Sequence, residues 1–363
     1  MQKLRVLVLF GGSANDYTQS LLSAVSVLHA LPEDQYECVP VGINRRGRWL
    51  YYPGDPELIA ASELQKLAPG WNDNDHPKIP SWDENPDCTT AILSPDPVHH
   101  GILVLEDNGE YTRKRVDVVF SLLQGSIGED GSVQGLCELS GIPYVGSGVL
   151  GSAVCRNKAA THQILSAFGI PTAHYHAVPQ RDLNRLEHEL DQIEEKLMYP
   201  VYVKPASNDC AVAAGKASNR AELLAMIKRA FTQDSTVLVE ELCEGREYRV
   251  GVFGCERPFA SFVGSLNKEG SVTVPAALDD ESVSIMRDMA VDAFCALSCK
   301  GLALFDFYQE ENGSILLGEV NTVPALYESA PYPVLMADLG MRYPYLLAKL
   351  IEQAVEHSDG GIF

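Results

Sequence analysis

The chain has 363 residues, 46% of them apolar, and a formal charge of −21. That length exceeds one ordinary domain and fits two or three, with enough apolar material for separate cores. The charge argues against nucleic acid or an anionic membrane as partner, and an anionic ligand would need local lysines and a divalent cation working against the overall field.

The first predicted element is the apolar run 4–10, ended by Gly11-Gly12. It has strand length, too short for a signal-peptide core with its cleavage site. No later run is long enough to span a bilayer, so a cytoplasmic protein is expected. A run that is apolar but for Arg5 near its start predicts a parallel strand covered on both faces. A helix follows with Leu21, Val25 and Leu28 on one face, then strands over 36–41 and 116–122. Together these predict a doubly wound α/β domain. Residues 44 to 112 are rich in Pro, Asp and Trp. Their short periodic stretches predict a loop-rich surface insertion rather than a domain.

A short strand over 142–145 ends in Gly146-Ser147-Gly148. A helical stretch over 152–168 stops at Gly169-Ile170-Pro171, and a charged helix runs over 181–197. A strand over 201–204, an irregular loop, a helix over 220–231 and a strand over 237–241 complete an α+β unit. The last unit has strands near 248–253 and 259–263, a helix over 281–297, a hairpin and a terminal helix near 345–357.

The nine cysteines are scattered, odd in number and free of CxxC. They read as reduced thiols, with zinc not expected. Cys295 and Cys299, four apart on an expected helix, read as two buried small side chains.

The hairpin is the most informative stretch. Asn312-Gly313 lies between two strand-like runs, which predicts a two-residue type I′ turn with Glu311 facing Ser314. That register sets Asp306 opposite Glu319 and Leu304 opposite Asn321, all four on one face. Two carboxylates so placed repel unless a cation lies between them. Asp306, Glu319 and Asn321 offer oxygen ligands that suit Mg²⁺ or Mn²⁺, with phosphate oxygens completing the shell. The same spacing also fits a solvated polar face with one acid protonated or paired with Lys or Arg.

Lys158 lies in a small, polar helical stretch, and Lys204 ends the strand Val201-Tyr202-Val203. Each suits a point charge on phosphate, and each also suits a snorkelling surface lysine. Glu240 and Glu247, at and beyond a strand end, could accept from an adenine amine and ribose hydroxyls.

The order of these pieces resembles the ATP-grasp family and, within it, the D-alanine–D-alanine ligases. The motifs that carry the likeness are 128–135 (GEDGSVQG), 141–148 (GIPYVGSG), Asn157-Lys158, Val203-Lys204-Pro205, Glu240 with Gly245-Arg246-Glu247, and 319–324 (EVNTVP). The resemblance implies α/β and α+β architecture: an ATP-grasp fold with an amino-terminal doubly wound domain at 1–148. A central subdomain at 149–240 and a carboxy-terminal one at 241–363 would grip ATP between them. It implies nucleotide contacts from Lys158, Lys204, Glu240 and Glu247, and Mg²⁺ (or Mn²⁺) ligation by Asp306, Glu319 and Asn321. The implied reaction activates a D-alanine carboxylate as an acyl phosphate for attack by a second amine, within peptidoglycan biosynthesis. Homodimerisation through the amino-terminal domain is implied as well. No catalytic residue is assigned.

The family's substrate pocket is altered here. The Glu of the first helix falls at Thr18, with Asp16 the nearest carboxylate. The His before GxxGEDG is Gln124, the Arg two residues before the metal Asp is Leu304, and the late Ser falls at Ala330. In the phosphate-covering loop two glycines are Asp209 and Ala213, and the latching Ser is Cys210. The Lys-Tyr lid is short, with only Lys268 to substitute. Three readings follow: a ligase of amino acids or analogues with another substrate pair, a nucleotide-binding homologue without turnover, or local misalignment hiding ordinary activity.

Overall fold

Leu4–Gly11 forms β1, the centre of the first of three sheets. The computed structural model describes residues 3–12, 16–68, 78–207, 213–267 and 270–357. The first sheet adds β2 (Tyr36–Ile43), β3 (Trp49–Tyr51), β4 (Thr89–Leu93), β5 (Gly101–Leu105), β6 (Tyr111–Arg115) and β7 (Val118–Ser121). Its spatial order is β6-β5-β4-β3-β2-β1-β7. β1 runs parallel to β2 and β7 and is fully buried from Val6 to Phe10, as its unbroken apolar run requires. Helices α1 (Tyr17–Ala30), α2 (Glu57–Leu67), α3 (Ser126–Glu129) and α4 (Ser132–Ser140) accompany it. Val6, Val8 and Phe10 pack toward α1, whereas Leu7 and Leu9 meet Val133 and Cys137 of α4.

The segment 44–112 departs from the expected surface insertion. Its strands β3 to β6 form the antiparallel half of the sheet. Trp82 is 2% exposed, and its Nε1 donates to the Tyr17 hydroxyl at 2.8 Å. Its ring meets Phe10 and Tyr52 edge-on at 5.1 and 6.2 Å. Each strand is too short to show a period, but each needs only a neighbour already in place to pair with. Expected loop residues 73–76 lie outside the described residues.

The second sheet is antiparallel, in the order β10-β9-β11-β8. Its elements are α5 (Val149–Arg156), α6 (Lys158–Ala167), β8 (Tyr175–Pro179), α7 (Leu186–Lys196), β9 (Val201–Pro205), β10 (Gly215–Ala217), α8 (Arg220–Ala230) and β11 (Thr236–Glu241). The single helix expected over 152–168 is two helices. Asn157 turns extended, and its Oδ1 accepts from the Ala160 N–H at 3.0 Å, capping α6.

The third sheet contains β12 (Gly245–Gly254), β13 (Phe259–Ala260), β14 (Gly264–Leu266), β15 (Val272–Thr273), β16 (Gly301–Glu310) and β17 (Ile315–Asn321). Helix α9 (Asp280–Ala296) covers one face, with Met286, Ala290 and Phe294 against Val250, Phe305 and Phe307. Helices α10 (Pro331–Ala337) and α11 (Tyr343–Glu356) return to the start of the chain. Leu346, Leu347, Leu350 and Ile351 of α11 share one apolar cluster with Val6, Val8 and Leu21. That shared core, which also contains Leu302 and Leu304 of β16, ties the hairpin to the first sheet.

The expected pairing of Cys295 with Cys299 as buried neighbours is corrected. Cys295 is exposed, and α9 ends before Cys299, whose Sγ lies 3.6 Å from that of Cys155. Among the described residues no helix is long and apolar enough to cross a membrane.

Candidate functional site

The hairpin of β16 and β17 brings the three expected ligands together by a route the spacing did not foresee. The turn holds three residues, not two: the Glu310 N–H donates to Ser314 O at 2.9 Å, and Gly313 has φ 87. This shifts the pairing by one residue, so Phe307 opposes Leu317 and Gln309 opposes Ile315. A β-bulge between Phe305 and Phe307 then restores the expected register, with Leu304 opposite Asn321. Asp306 consequently faces two residues, Gly318 and Glu319. The burial pattern changes phase at the same point, from buried Ile315 and Leu317 to exposed Glu319 and buried Val320. Two opposite one-residue shifts leave Asp306, Glu319 and Asn321 lining one cleft.

Both phosphate-candidate lysines are inside, not snorkelling. Lys158 opens α6, and its N–H donates to Ala206 O at 2.8 Å, which ties the helix start to the end of β9. Its Nζ lies 3.3 Å from Glu319 Oε1. Lys204 on β9 reaches Glu240 Oε2 at 2.6 Å. The other Glu240 oxygen meets His162 Nε2 at 2.7 Å, and His162 Nδ1 meets Thr172 Oγ1 at 2.9 Å. Burial pushes the Glu240 carboxyl up, but the His162 hydrogen bond and the Lys204 charge outweigh it and hold it below its ordinary value.

These groups line a cleft of about 450 Å³, with Tyr202, Tyr308 and Leu317 as apolar walls and exposed Glu247 at its rim. The size and the mix of apolar wall with a few charges suit a ligand carrying a flat ring and an anionic tail. Gly318 lets Tyr308 close over this wall: a Cβ there would fall 2.5 Å from the tyrosine ring.

A second cleft of about 400 Å³ adjoins it and shares Lys158 and Glu319. Gln124 and Leu304 line it as expected, and so do Asp16 and Gln19. Thr18 and Ala330 are not among its lining residues. The phase of α1 turns Asp16 and Gln19, rather than Thr18, to the cleft. Ala330, at the α10 N-cap, is fully buried, and the neighbouring Pro331 and Tyr332 line the cleft instead. Leu304 is 7% exposed and belongs to the apolar cluster around Tyr332. Asp209, Cys210 and Lys268 lie outside the described residues.

Arg249 was not singled out by the sequence. It stands directly opposite Asp306 on β12. Its Nε donates to Oδ1 at 2.9 Å and its Nη2 to Oδ2 at 3.3 Å. Burial pushes the Asp306 carboxyl up to about 6; the Arg249 charge opposes this and the Glu319 charge adds to it. The reading of acids paired with basic side chains is therefore realised, by Arg249 and Lys158. The signal was the pairing of β12 with β16, which no turn motif announces. His162 was also missed, although it is four residues from Lys158 and so shares its helix face.

Among the described residues no group of three or more His, Cys, Asp or Glu side chains converges as a metal cage. Two acids and an amide still suit a small hard cation that takes its remaining ligands from phosphate and water. Glu319, with its side chain 52% exposed, and Asn321 are open to such an ion, whereas Asp306 is held by Arg249.

Comparison with known proteins places these clefts in context. Residues 5–147 match the model for the D-ala D-ala ligase N-terminus, and residues 164–352 match that for the D-ala D-ala ligase C-terminus. A D-alanine–D-alanine ligase of Acetivibrio thermocellus is 36% identical over 99% of this chain and 98% of its own length. One from Mycobacterium avium is 35% identical over 99% and 98%. Among solved structures, the VanG D-Ala:D-Ser ligase of Enterococcus faecalis superposes with TM-score 0.86 at 29% identity, covering 97% of this chain and all of that one. The D-alanine–D-alanine ligase of Coxiella burnetii gives 0.82 at 28%, covering 99% and 96%.

Proposed function

The chain belongs to the D-alanine–D-alanine ligase family of ATP-dependent ligases, and on that premise we propose that it forms a C–N bond between two amino acids or analogues with a substrate pair of its own. The observation that carries the reading is the meeting of two clefts at Lys158 and Glu319. One has room and walls for a nucleotide, and the other for the molecules to be joined.

In this reading Lys204 and Lys158 hold the phosphates, Glu240 accepts from the adenine amine, and Glu247 accepts from the ribose. Nucleotide binding would draw Lys204 and Lys158 from carboxylate toward phosphate, exchanging one charged partner for another. Glu319 and Asn321 would hold Mg²⁺, which when bound neutralises phosphate charge during transfer to a substrate carboxylate. The amine of the second substrate then attacks the resulting acyl phosphate, forming the C–N bond as the acyl C–O bond breaks, inorganic phosphate leaves and the amine gives up a proton. The chain's own part is to bind, align and exclude water, so positioning and charge carry most of the rate.

The altered pocket motivates the altered pair. Leu304 sits in apolar packing where the resemblance implies an arginine, and Asp16 and Gln19 line the wall expected from Thr18. Full-length likeness to ligases weighs against a homologue without turnover. We further propose the three-domain division at 148 and 240, a cytoplasmic location, and a homodimer through the amino-terminal domain. A monomer mass by light scattering at micromolar concentration would refute the dimer.

The deciding measurement is phosphate release from ATP with D-alanine, then with a panel of D- and L-amino acids and hydroxy acids. Amino-acid-dependent release that disappears in Glu319→Gln is expected. Silence across the panel would sink the reading.

A further inference from the structure

We propose that Arg249 occupies the Asp306 arm of the metal site, so that the site takes one divalent cation, on Glu319 and Asn321, and not a second between Asp306 and Glu319. This rests on the reading of the cleft as a metal–nucleotide site.

The contact is built into the sheet. Arg249 and Asp306 are direct partners on adjacent strands, inside a continuous pairing from Gly245–Glu310 to Gly254–Gly301. Both Asp306 oxygens are engaged, at 2.9 and 3.3 Å, by two nitrogens of one planar fork. A guanidinium matches a carboxylate in this way better than any other side chain, and it stays charged at every accessible pH. An ion on Asp306 would have to share an oxygen with that fixed like charge. Mg²⁺ also demands near-octahedral geometry with ligands at about 2.1 Å, which leaves it little freedom to sit aside.

Glu319 is placed differently. Its side chain is 52% exposed, and the Lys158 ammonium lies 3.3 Å from it. An ammonium on a four-carbon stem can move to a phosphate when nucleotide arrives, whereas a two-pronged guanidinium clamp has more to lose. Asn321 Oδ1 accepts from the Val323 N–H at 2.8 Å and keeps a second lone pair for an ion. Glu319 and Asn321 are two apart on one strand, past the bulge, and so project to the same side.

Charge balance points the same way. Asp306 and Glu319 are already matched by Arg249 and Lys158. Paired acids facing each other across a hairpin could otherwise bridge two ions at about 3.5–4 Å. Here one of those two positions holds a cation that belongs to the chain. Among the described residues Nη1 of Arg249 has no hydrogen-bond partner, and the side chain lines the second cleft beside Leu304. Asp306 then acts as a positioning residue that aims Arg249, rather than as a ligand.

The test counts Mn²⁺ bound to the full chain by electron paramagnetic resonance, with a non-hydrolysable ATP analogue present. The wild type should saturate at one Mn²⁺ and Arg249→Ala at two. Two ions in the wild type, or only one in Arg249→Ala, would overturn the proposal. Should Arg249→Ala fail to fold, Asp306→Asn decides: it should keep the single ion, and loss of that ion would overturn the proposal too. Fluorescence titration of the analogue separates the failures. No nucleotide binding overturns the metal–nucleotide reading and this inference with it, whereas bound nucleotide with two ions overturns this inference alone.

Discussion

Lys158 Nζ lies 3.3 Å from Glu319 Oε1, and these two side chains line both clefts. One comes from the first turn of α6, just after the Asn157 cap, and the other from beyond a bulge in β17. Their meeting joins the second and third sheets at the point where a transferred phosphate would pass.

Lys158→Ala should therefore lower amino-acid-dependent phosphate release by about 10²–10³-fold, the usual effect of losing one well-placed charge donor. It should also weaken analogue binding, and stopped-flow phosphate detection with fluorescence titration measures both. An unchanged rate would place the chemistry elsewhere.

Glu240 predicts a pH signature. Burial raises its carboxyl, but His162 and Lys204 together hold it below its ordinary value. The folded protein thus binds this proton less readily than the unfolded chain. The stability involved is present in full above the ordinary carboxylate range and fades as pH falls through the folded value. Melting temperatures of the wild type and Glu240→Gln should differ at neutral pH and converge in acid. Parallel curves across that range would contradict the assignment.

Gly318→Ala tests the closeness of Tyr308 to the hairpin. The added Cβ would fall 2.5 Å from a ring carbon, so Tyr308 or the bulge must shift. Overpacking of this kind costs about 1–3 kcal/mol. Denaturant unfolding should show that loss, and analogue affinity should fall with it because Tyr308 walls the cleft proposed to take the nucleotide.

Trp82→Ala should cost about 3–5 kcal/mol, as for other large buried aromatics. The indole is 2% exposed and touches Phe10 beneath β1. Urea titration measures the loss. A change near zero would restore the reading of residues 44–112 as a surface insertion.

Much of the candidate site was legible from local pattern. Lys204 after an apolar strand and Glu240 at a strand end fall in the cleft because β9 and β11 pair antiparallel, with Lys204 opposite Leu238 and Glu240 opposite Tyr202, which sets both side chains on one face of the sheet. The facing of Asp306 with Glu319 was reached with a two-residue turn that does not exist, since the three-residue turn and the bulge shift the register in opposite senses. Thr18 was misplaced because one residue of helix phase, about 100° of rotation, separates cleft from flank.

The sequence by itself determined the buried parallel strand, the succession of an α/β unit by two α+β units, and the family. These depend on periodicity and on motif order, which are properties of neighbours in the chain. Only the tertiary structure decided that β3 to β6 complete the first sheet, that α11 seals it, and that Arg249 pairs with Asp306. Those outcomes depend on which distant strands pair and in what register. No local signal encodes that, because the free energy that selects it comes from burying surfaces far apart in the chain.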